Sequence, residues 1–371
     1  MILKLLSLIN FKNHENTTLT FNNNINCIVG PNGVGKTNLL DSVHYLSFCK
    51  SYFNSLESFN VKQNQNFFMI KGNFFSQDNL ELDISCSFVD KKKHFKLNNK
   101  KYEKLSNHIG KIPLIIITPV DSNLIIGSGE IRRKFIDKLL SQLDLSYLEA
   151  LLSYNKTLNQ RNALLKIYND TSDHSDLLST YDSRLNKFGN QIYSKRKDYI
   201  DTIIQSVQQY YNIISNNRED VNIEYNSELD NRSFKSILED NAKKDKILQF
   251  TSSGTHRDDF VFKMKQHSLK KTGSQGQQKT FLIALKLANF DLLYDKTKEK
   301  PILLLDDIFD KLDSNRVAKI MTILNSKNFG QIFITDTSFD RINSIMQLID
   351  SRCKYFLYNF DGTYDEKIKN E

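Results

Sequence analysis

The sequence predicts an α/β protein in which a core of buried parallel strands carries a glycine-rich loop and is interrupted by a long helical insertion. Three observations support this. The apolar run Ile25–Val29 leads into Gly30, Gly33 and Gly35, and then into Leu39, Leu40, Val43 and Leu46 at helical spacing. That order is strand, loop, helix. Further on, Ile302, Leu303, Leu304 and Leu305 run straight into Asp306 and Asp307, a buried strand with an acidic end. Between the two, from about residue 128 to 215, the pattern becomes long helical periodicity rich in Leu, Gln and Lys.

Each element follows from local pattern. Residues 1–30 alternate as strands do. Short alternating runs at 67–74, 80–88 and 94–97, with Asn98 and Asn99 as a turn, predict antiparallel hairpins. Helical spacing covers 132–143, 146–166 and 177–214, and the polar stretch 167–176 reads as a loop. This block is expected to be an antiparallel bundle or a short coiled coil. Strands return at 221–225 and Asp259–Met264, a helix at 276–294, and parallel core strands at 301–307 and 331–335. The expected division is a discontinuous head, 1–120 with 216–371, and an inserted helical domain at 121–215.

Composition limits the function classes. The 371 residues are 39% hydrophobic and 25% charged, ordinary values for a globular chain. Lys and Arg number 51 against 43 Asp and Glu, so the net charge of +8 suits either a polyanionic partner or a solvated lysine surface. Cys27, Cys49, Cys86 and Cys353 are scattered, without a CxxC pair or a His at ligand spacing, which points to neither a disulfide framework nor a zinc site. The N-terminus has no basic start or small-residue cleavage site, and no stretch approaches the roughly 18 apolar residues of a membrane span. A cytoplasmic location, with no membrane partner, is expected.

Gly30, Pro31, Asn32, Gly33, Val34, Gly35, Lys36 and Thr37 match the phosphate-binding pattern G-x-x-x-x-G-K-[ST] in full, with Asn38 next in line. Such a loop turns backbone N–H groups toward phosphates, and the helix behind it adds its positive end. The expected ligand is ATP with Mg2+. Lys36 would reach the β- and γ-phosphates and the Thr37 hydroxyl would ligate the metal. Asp306 is expected to hold Mg2+ and Asp307 to orient the attacking water, so Lys36, Asp306 and Asp307 are the catalytic candidates. Asp307 stands where ABC ATPases usually place a Glu, one methylene longer, and its alternative role is support of the metal's ligands. Asp313 matches an acid that ABC proteins carry just beyond this point. Gly273, Ser274, Gln275, Gly276 and Gln277 precede a helix ahead of Asp306, the position of the ABC signature. There Ser274, Gly276 and Gln277 would meet the nucleotide held by a second subunit, so a homodimer on ATP binding is expected.

With these motifs in place the chain resembles the RecF family of bacterial recombination-repair proteins, relatives of the SMC ATPases with a short helical arm. The match runs through residues 8–14, 121–128, 132–137, 160–165, 254–259, 273–278 and 304–307 in family order. The strings Gln160-Arg161-Asn162-Ala163-Leu164-Leu165 and His256-Arg257-Asp258-Asp259 are the most specific. The resemblance implies an SMC/RecF-like ABC-type P-loop ATPase head with an inserted arm and ATP-dependent dimerisation; hydrolysis is expected to be DNA-stimulated and, with the shorter Asp307, slow. It also implies binding to duplex DNA and single/double-strand junctions without sequence preference. RecO-, RecR- and RecA-type partners in replication and repair follow from the same likeness.

Several positions depart from the family pattern. Thr255 stands where Pro is usual, Gly129 replaces the Pro after Gly127 and Ser128, and Phe53 and Asn54 follow Tyr52 where an Arg is common. Thr337 occupies the place of a switch histidine, and Thr118–Asp121 is the expected Q-loop without its glutamine. Basic residues cluster at Lys91–Lys93 with Lys96, Lys100, Lys101 and Lys104, at Arg132–Lys134, and at Lys195–Lys197; each is a DNA-contact candidate or a solvated surface. His256 and Arg257 are either near the nucleotide or part of a structural hydrogen-bond network. Two alternatives stay open: the ATPase head of a transporter, disfavoured by the long stretch between Lys36 and Ser274, and a switch in which ATP drives dimerisation with negligible turnover.

Overall fold

A computed structural model describes residues 1–167, 175–216, 219–309, 312–326, 329–347, 352–360 and 362–369. The loop expected at 167–176 lies, apart from its ends, outside them. The chain forms two compact units: Met1–Asp121 with Ile213–Asn216 and Leu282–Glu371, and Ser122–Asn212 with Asn217–Phe281. Among the described residues no helix is long and apolar enough to cross a membrane.

The first unit holds two six-stranded sheets. One orders Tyr364–Lys369, Cys353–Tyr358, Ile25–Val29, Ile332–Asp336, Ile302–Asp306 and Leu114–Ile117, parallel throughout except for the first pair. Ile25–Val29, Ile332–Asp336 and Ile302–Asp306 are buried along their whole length, as strands covered on both faces must be. The other is antiparallel, in the order His14–Thr20, Ile2–Phe11, Phe68–Phe75, Glu81–Val89, Lys92–Leu97, Lys100–Lys101. Phe68–Phe75 alternates buried and outward positions as the sequence pattern requires. Asn98 and Asn99 form the expected tight turn, both with positive φ (47° and 64°). The helix Lys36–Phe48 packs close on this sheet because Gly72 has no side chain: a Cβ there would lie 2.6 Å from Leu46 Cδ1.

The second unit is built on helices Gly129–Leu143, Leu145–Ile167 and Ser175–Ser215. The last two run antiparallel, since Tyr147 meets Arg196, Arg161 meets Asp182, and Leu164 and Leu165 pack with Leu178. Leu178, Leu185, Ile192 and Tyr199 are buried at a seven-residue interval, with Arg196, Ile203 and Tyr210 filling the offset positions. This is a coiled-coil seam, so the stubby coiled-coil expectation is met in two helices. The domain division differs from expectation at its return point. Residues 217–281 cluster with the helices, not with the head. The reason is a charged network: Arg196 pairs with Asp137 at 2.8 Å and donates to the Thr255 carbonyl at 2.8 Å, while Arg132 pairs with Asp259 at 2.8 Å. These bonds tie the sheet formed by Val221–Asn226, Asp259–Met264 and His267–Ser268 to the arm helices.

Arg161, the centre of the Gln-Arg-Asn-Ala-Leu-Leu string, is fully buried. It donates to Asp182 at 2.6 Å, to Asp245 at 2.7 Å and to Thr251 at 2.9 Å. A buried ion pair contributes little over an apolar replacement, but removing one partner strands the other charge. We therefore expect Arg161→Met to destabilise the arm unit by about 3–5 kcal/mol in denaturant unfolding. Arg161→Met with Asp245→Leu should recover part of that loss. A single variant as stable as wild type would contradict this reading.

Candidate nucleotide site

The loop between Ile25–Val29 and the helix Lys36–Phe48 wraps a pocket lined by Asn32, Gly33, Gly35, Lys36, Thr37 and Asn38 on one side. Asp306, Asp307, Thr335 and Thr337 line the other. Gly35 is the helix N-cap with φ 106°, and a Cβ there would lie 2.6 Å from Asn13 Oδ1. Only glycine suits both the backbone and the space. Lys36 Nζ donates to the carbonyls of Gly30 (2.7 Å) and Pro31 (2.8 Å), curling over its own loop. Burial lowers its pKa, opposed by the charges of Asp307, Asp306 and Asp336. Val34 turns its side chain into the core of the unit.

The two motifs meet through one hydroxyl. Thr37 Oγ1 lies 2.9 Å and 3.0 Å from the two carboxylate oxygens of Asp306. Thr335, opposite Asp306 in the parallel register, donates to the same carboxylate at 2.7 Å and accepts from Asp307 N at 3.0 Å. Burial raises the pKa of Asp306, while the hydroxyls of Thr335 and Thr37 lower it. Thr37 and Asp306 supply hard oxygen donors, and among the described residues no larger acidic or histidine cluster adds to them. Such a sparse set fits Mg2+, which keeps waters and takes phosphate oxygens as ligands. Asp307 leaves the strand with φ 49°, a left-handed conformation that Asp tolerates better than most residues.

The signature residues belong to the other unit and do not line this pocket. Ser274 caps the helix Gln275–Thr297: its Oγ accepts from Gln277 N at 3.2 Å, and Gln277 Oε1 accepts from Ser274 N at 2.8 Å. This reciprocal pair is a capping box and presents Ser274 exposed at a helix N-terminus. Gln277 is further held by its donation to Glu219 at 2.9 Å, and Gly276 lies in the first turn.

Other candidates fall into place as structure. His256 lies between Tyr154 OH (2.8 Å) and the Thr251 carbonyl (3.0 Å), and burial takes its pKa down to about 4. It is part of a hydrogen-bond network, while Arg257 is exposed over the Phe250 ring. In Thr118–Asp121 the two ends are buried and Pro119 and Val120 are exposed; Asp121 accepts from Lys286 at 3.0 Å and from Tyr52 OH at 2.5 Å, and the segment does not line the pocket. Asp313 caps the helix Ser314–Ser326 through Arg316 N at 2.9 Å. Three residues were not read from the sequence. His14 Nε2 donates to the Gly35 carbonyl at 3.1 Å, Thr335 braces Asp306, and Arg341 binds Asp336 beside Asp307. The register of two parallel strands marks Thr335; nothing in the local pattern marks the others.

The family model of the RecF/RecN/SMC N-terminal domain matches residues 2–353. A protein from Flavobacterium johnsoniae, described as DNA replication and repair protein RecF, is 46% identical over 359 residues, covering 96% of this chain and 99% of its own. A protein of the same description from Bacteroides thetaiotaomicron is 43% identical over 357 residues, 96% of each chain. The solved structure of the recombination mediator protein RecF with ATP, from the RecFOR pathway, superposes with a TM-score of 0.88. It is 32% identical and covers 99% of this chain and 97% of its own. Motifs, fold and full-length similarity agree: the chain belongs to the RecF family, with an SMC/RecF-like ABC-type ATPase head and an inserted helical arm.

Proposed function

We propose that this chain is an ATP-dependent DNA-binding protein of recombinational repair, whose ATP-bound homodimer engages duplex or gapped DNA. The contact between Thr37 and Asp306 beside Lys36 supports this most directly, because it brings the phosphate loop and the acidic strand end together. ATP would enter along the loop, with Lys36 exchanging the Gly30 and Pro31 carbonyls for phosphate oxygens. Mg2+ bound by Thr37 and Asp306 would neutralise charge on the β- and γ-phosphates. Asp307 would orient a water whose oxygen bonds the γ-phosphorus as the bond to the β–γ bridging oxygen breaks, releasing ADP and phosphate. Its side chain is one methylene shorter than the usual Glu, in keeping with slow turnover that resets the dimer.

Ser274, with Gly276 and Gln277 behind it, would complete the site on a second copy of the chain, as an exposed helix N-terminus suits a phosphate. RecO- and RecR-type partners and the recruitment of a RecA-type recombinase, in the cytoplasm, complete the reading by family likeness.

For DNA, the basic clusters differ in their ion-pair partners. Lys195 pairs with Asp144, Arg196 with Asp137, Lys197 with Asp230, Arg132 with Asp259 and Lys134 with Glu130. Lys93 binds Glu57. Lys91, Lys92, Lys96, Lys100, Lys101 and Lys104 are exposed around the strands Lys92–Leu97 and Lys100–Lys101, and are the better phosphate contacts.

Two outcomes are expected. Wild type with ATP should bind gapped and continuous duplex with steep salt dependence, and Lys36→Met should lose the ATP-dependent part; equal binding in every condition would sink the reading. Replacing Lys100 and Lys101 by Gln should weaken binding evenly across sequences and flatten the slope of log affinity against log salt by about 1–2. An unchanged slope would exclude those lysines.

A further inference from the structure

We propose that Arg341 is the positioning residue of Asp307, supplying the cation that a switch histidine would otherwise bring to this edge of the site. The inference rests on Asp307 orienting the attacking water. Where a histidine is usual the chain has Thr337, but the helix Phe339–Met346 begins two residues later and returns a cation to the same place. Ser338 caps that helix by accepting from Arg341 N at 3.3 Å, which fixes the first turn and the root of the Arg341 side chain.

Asp336, fully buried at the end of the central strand, then holds the guanidinium by three bonds. Nε lies 3.1 Å and 3.0 Å from its two oxygens, and Nη2 lies 2.6 Å from Oδ1. Held in this way, Nη2 lies 3.9 Å from Asp307 Oδ1 and 3.5 Å from Thr337 Oγ1. A small rotation of Asp307 converts that approach into a charge-assisted hydrogen bond. The carboxylate is then fixed in orientation at the wall of the pocket it lines.

The surroundings explain why a cation is needed here. The charges of Asp307, Asp306 and Asp336 all act on Lys36, and among the described residues Arg341 is a second cation beside Asp336 and Asp307. When Lys36 engages phosphate, Arg341 stays beside Asp336 and Asp307 as a fixed counter-charge. Arg341 does not line the pocket itself but approaches Asp307, which does. Arginine suits the task because its planar fork can grip Asp336 with one edge and reach a second carboxylate with another N–H.

The test uses the full chain with saturating DNA, reading the single-turnover rate of ATP hydrolysis and the dissociation constant for ATP separately. Arg341→Gln should lower the rate about tenfold or more while leaving ATP affinity within about threefold. Arg341→Lys, which keeps the cation, should recover part of the rate. Added to Asp307→Asn, Arg341→Gln should cost nothing further, because both act through one carboxylate. A wild-type rate in Arg341→Gln, or losses that multiply in the double variant, would overturn the proposal while leaving the role of Asp307 standing. A wild-type rate in Asp307→Asn would instead remove that role, and the proposal with it. Should Arg341→Gln fail to fold for want of a partner at Asp336, Asp336→Asn with Arg341→Gln leaves a neutral pair there. That variant must also hydrolyse slowly, and a wild-type rate in it counts against Arg341.

Discussion

The meeting of Thr37 with Asp306 is the constraint on which the rest of the site depends. It joins residues far apart in the chain, and it exists only because Ile25–Val29, Ile332–Asp336 and Ile302–Asp306 lie parallel in one register. All three strands deliver their C-terminal ends to the same edge. The glycine-rich loop leaves from the first, Thr335 and Asp336 close the second, and Asp306 and Asp307 close the third. A slip of one residue in any strand would turn these side chains to the other face and dissolve the site. The apolar strand interiors and the polar strand ends are thus one design: the first sets the register that the second requires.

The family strings divide by task. Arg161, Arg132, Asp259 and His256 resemble site residues in sequence, yet each is held in a buried or half-buried network within the second unit. A buried guanidinium between two carboxylates specifies one packing of its neighbours, since any other arrangement leaves a charge unpaired. The proposed chemistry falls instead to a few residues at the strand ends and to Ser274 at a helix N-terminus. In the arm cluster Arg196 is buried in its ion pair while Lys195 and Lys197 are exposed and paired with Asp144 and Asp230; Lys100 and Lys101 of the hairpin are exposed.

Much of this was legible beforehand because the motifs are local. Gly30 to Thr37 is a contiguous loop, and the strand Ile302–Asp306 declares itself by four aliphatics before an acid. The hairpin turn at Asn98 and Asn99 and the long helices also follow from short-range pattern. The helices Phe234–Leu248 and Ser314–Ser326 go unread although they are amphipathic over 15 and 13 residues; the eight-residue helix Phe339–Met346 and the six-residue strands Cys353–Tyr358 and Tyr364–Lys369 go unread because they are short. The return point at 216 was misplaced because 217–281 is assigned by long-range ion pairs that no local window contains. Arg341 escaped for the same reason: its partners are set by a turn after the strand, where the pattern led only to a missing histidine.

The phosphate loop lies in one unit of the chain and Ser274 in the other, and in the proposed dimer each working site combines halves from two copies. Mixing two inactive variants, Lys36→Met and Ser274→Arg, tests this most directly. The mixed dimer would pair the intact loop of one copy with the intact signature of the other. The account predicts that ATP hydrolysis, absent in either variant alone, returns on mixing. Continued inactivity of the mixture, or full activity of Ser274→Arg by itself, would contradict it.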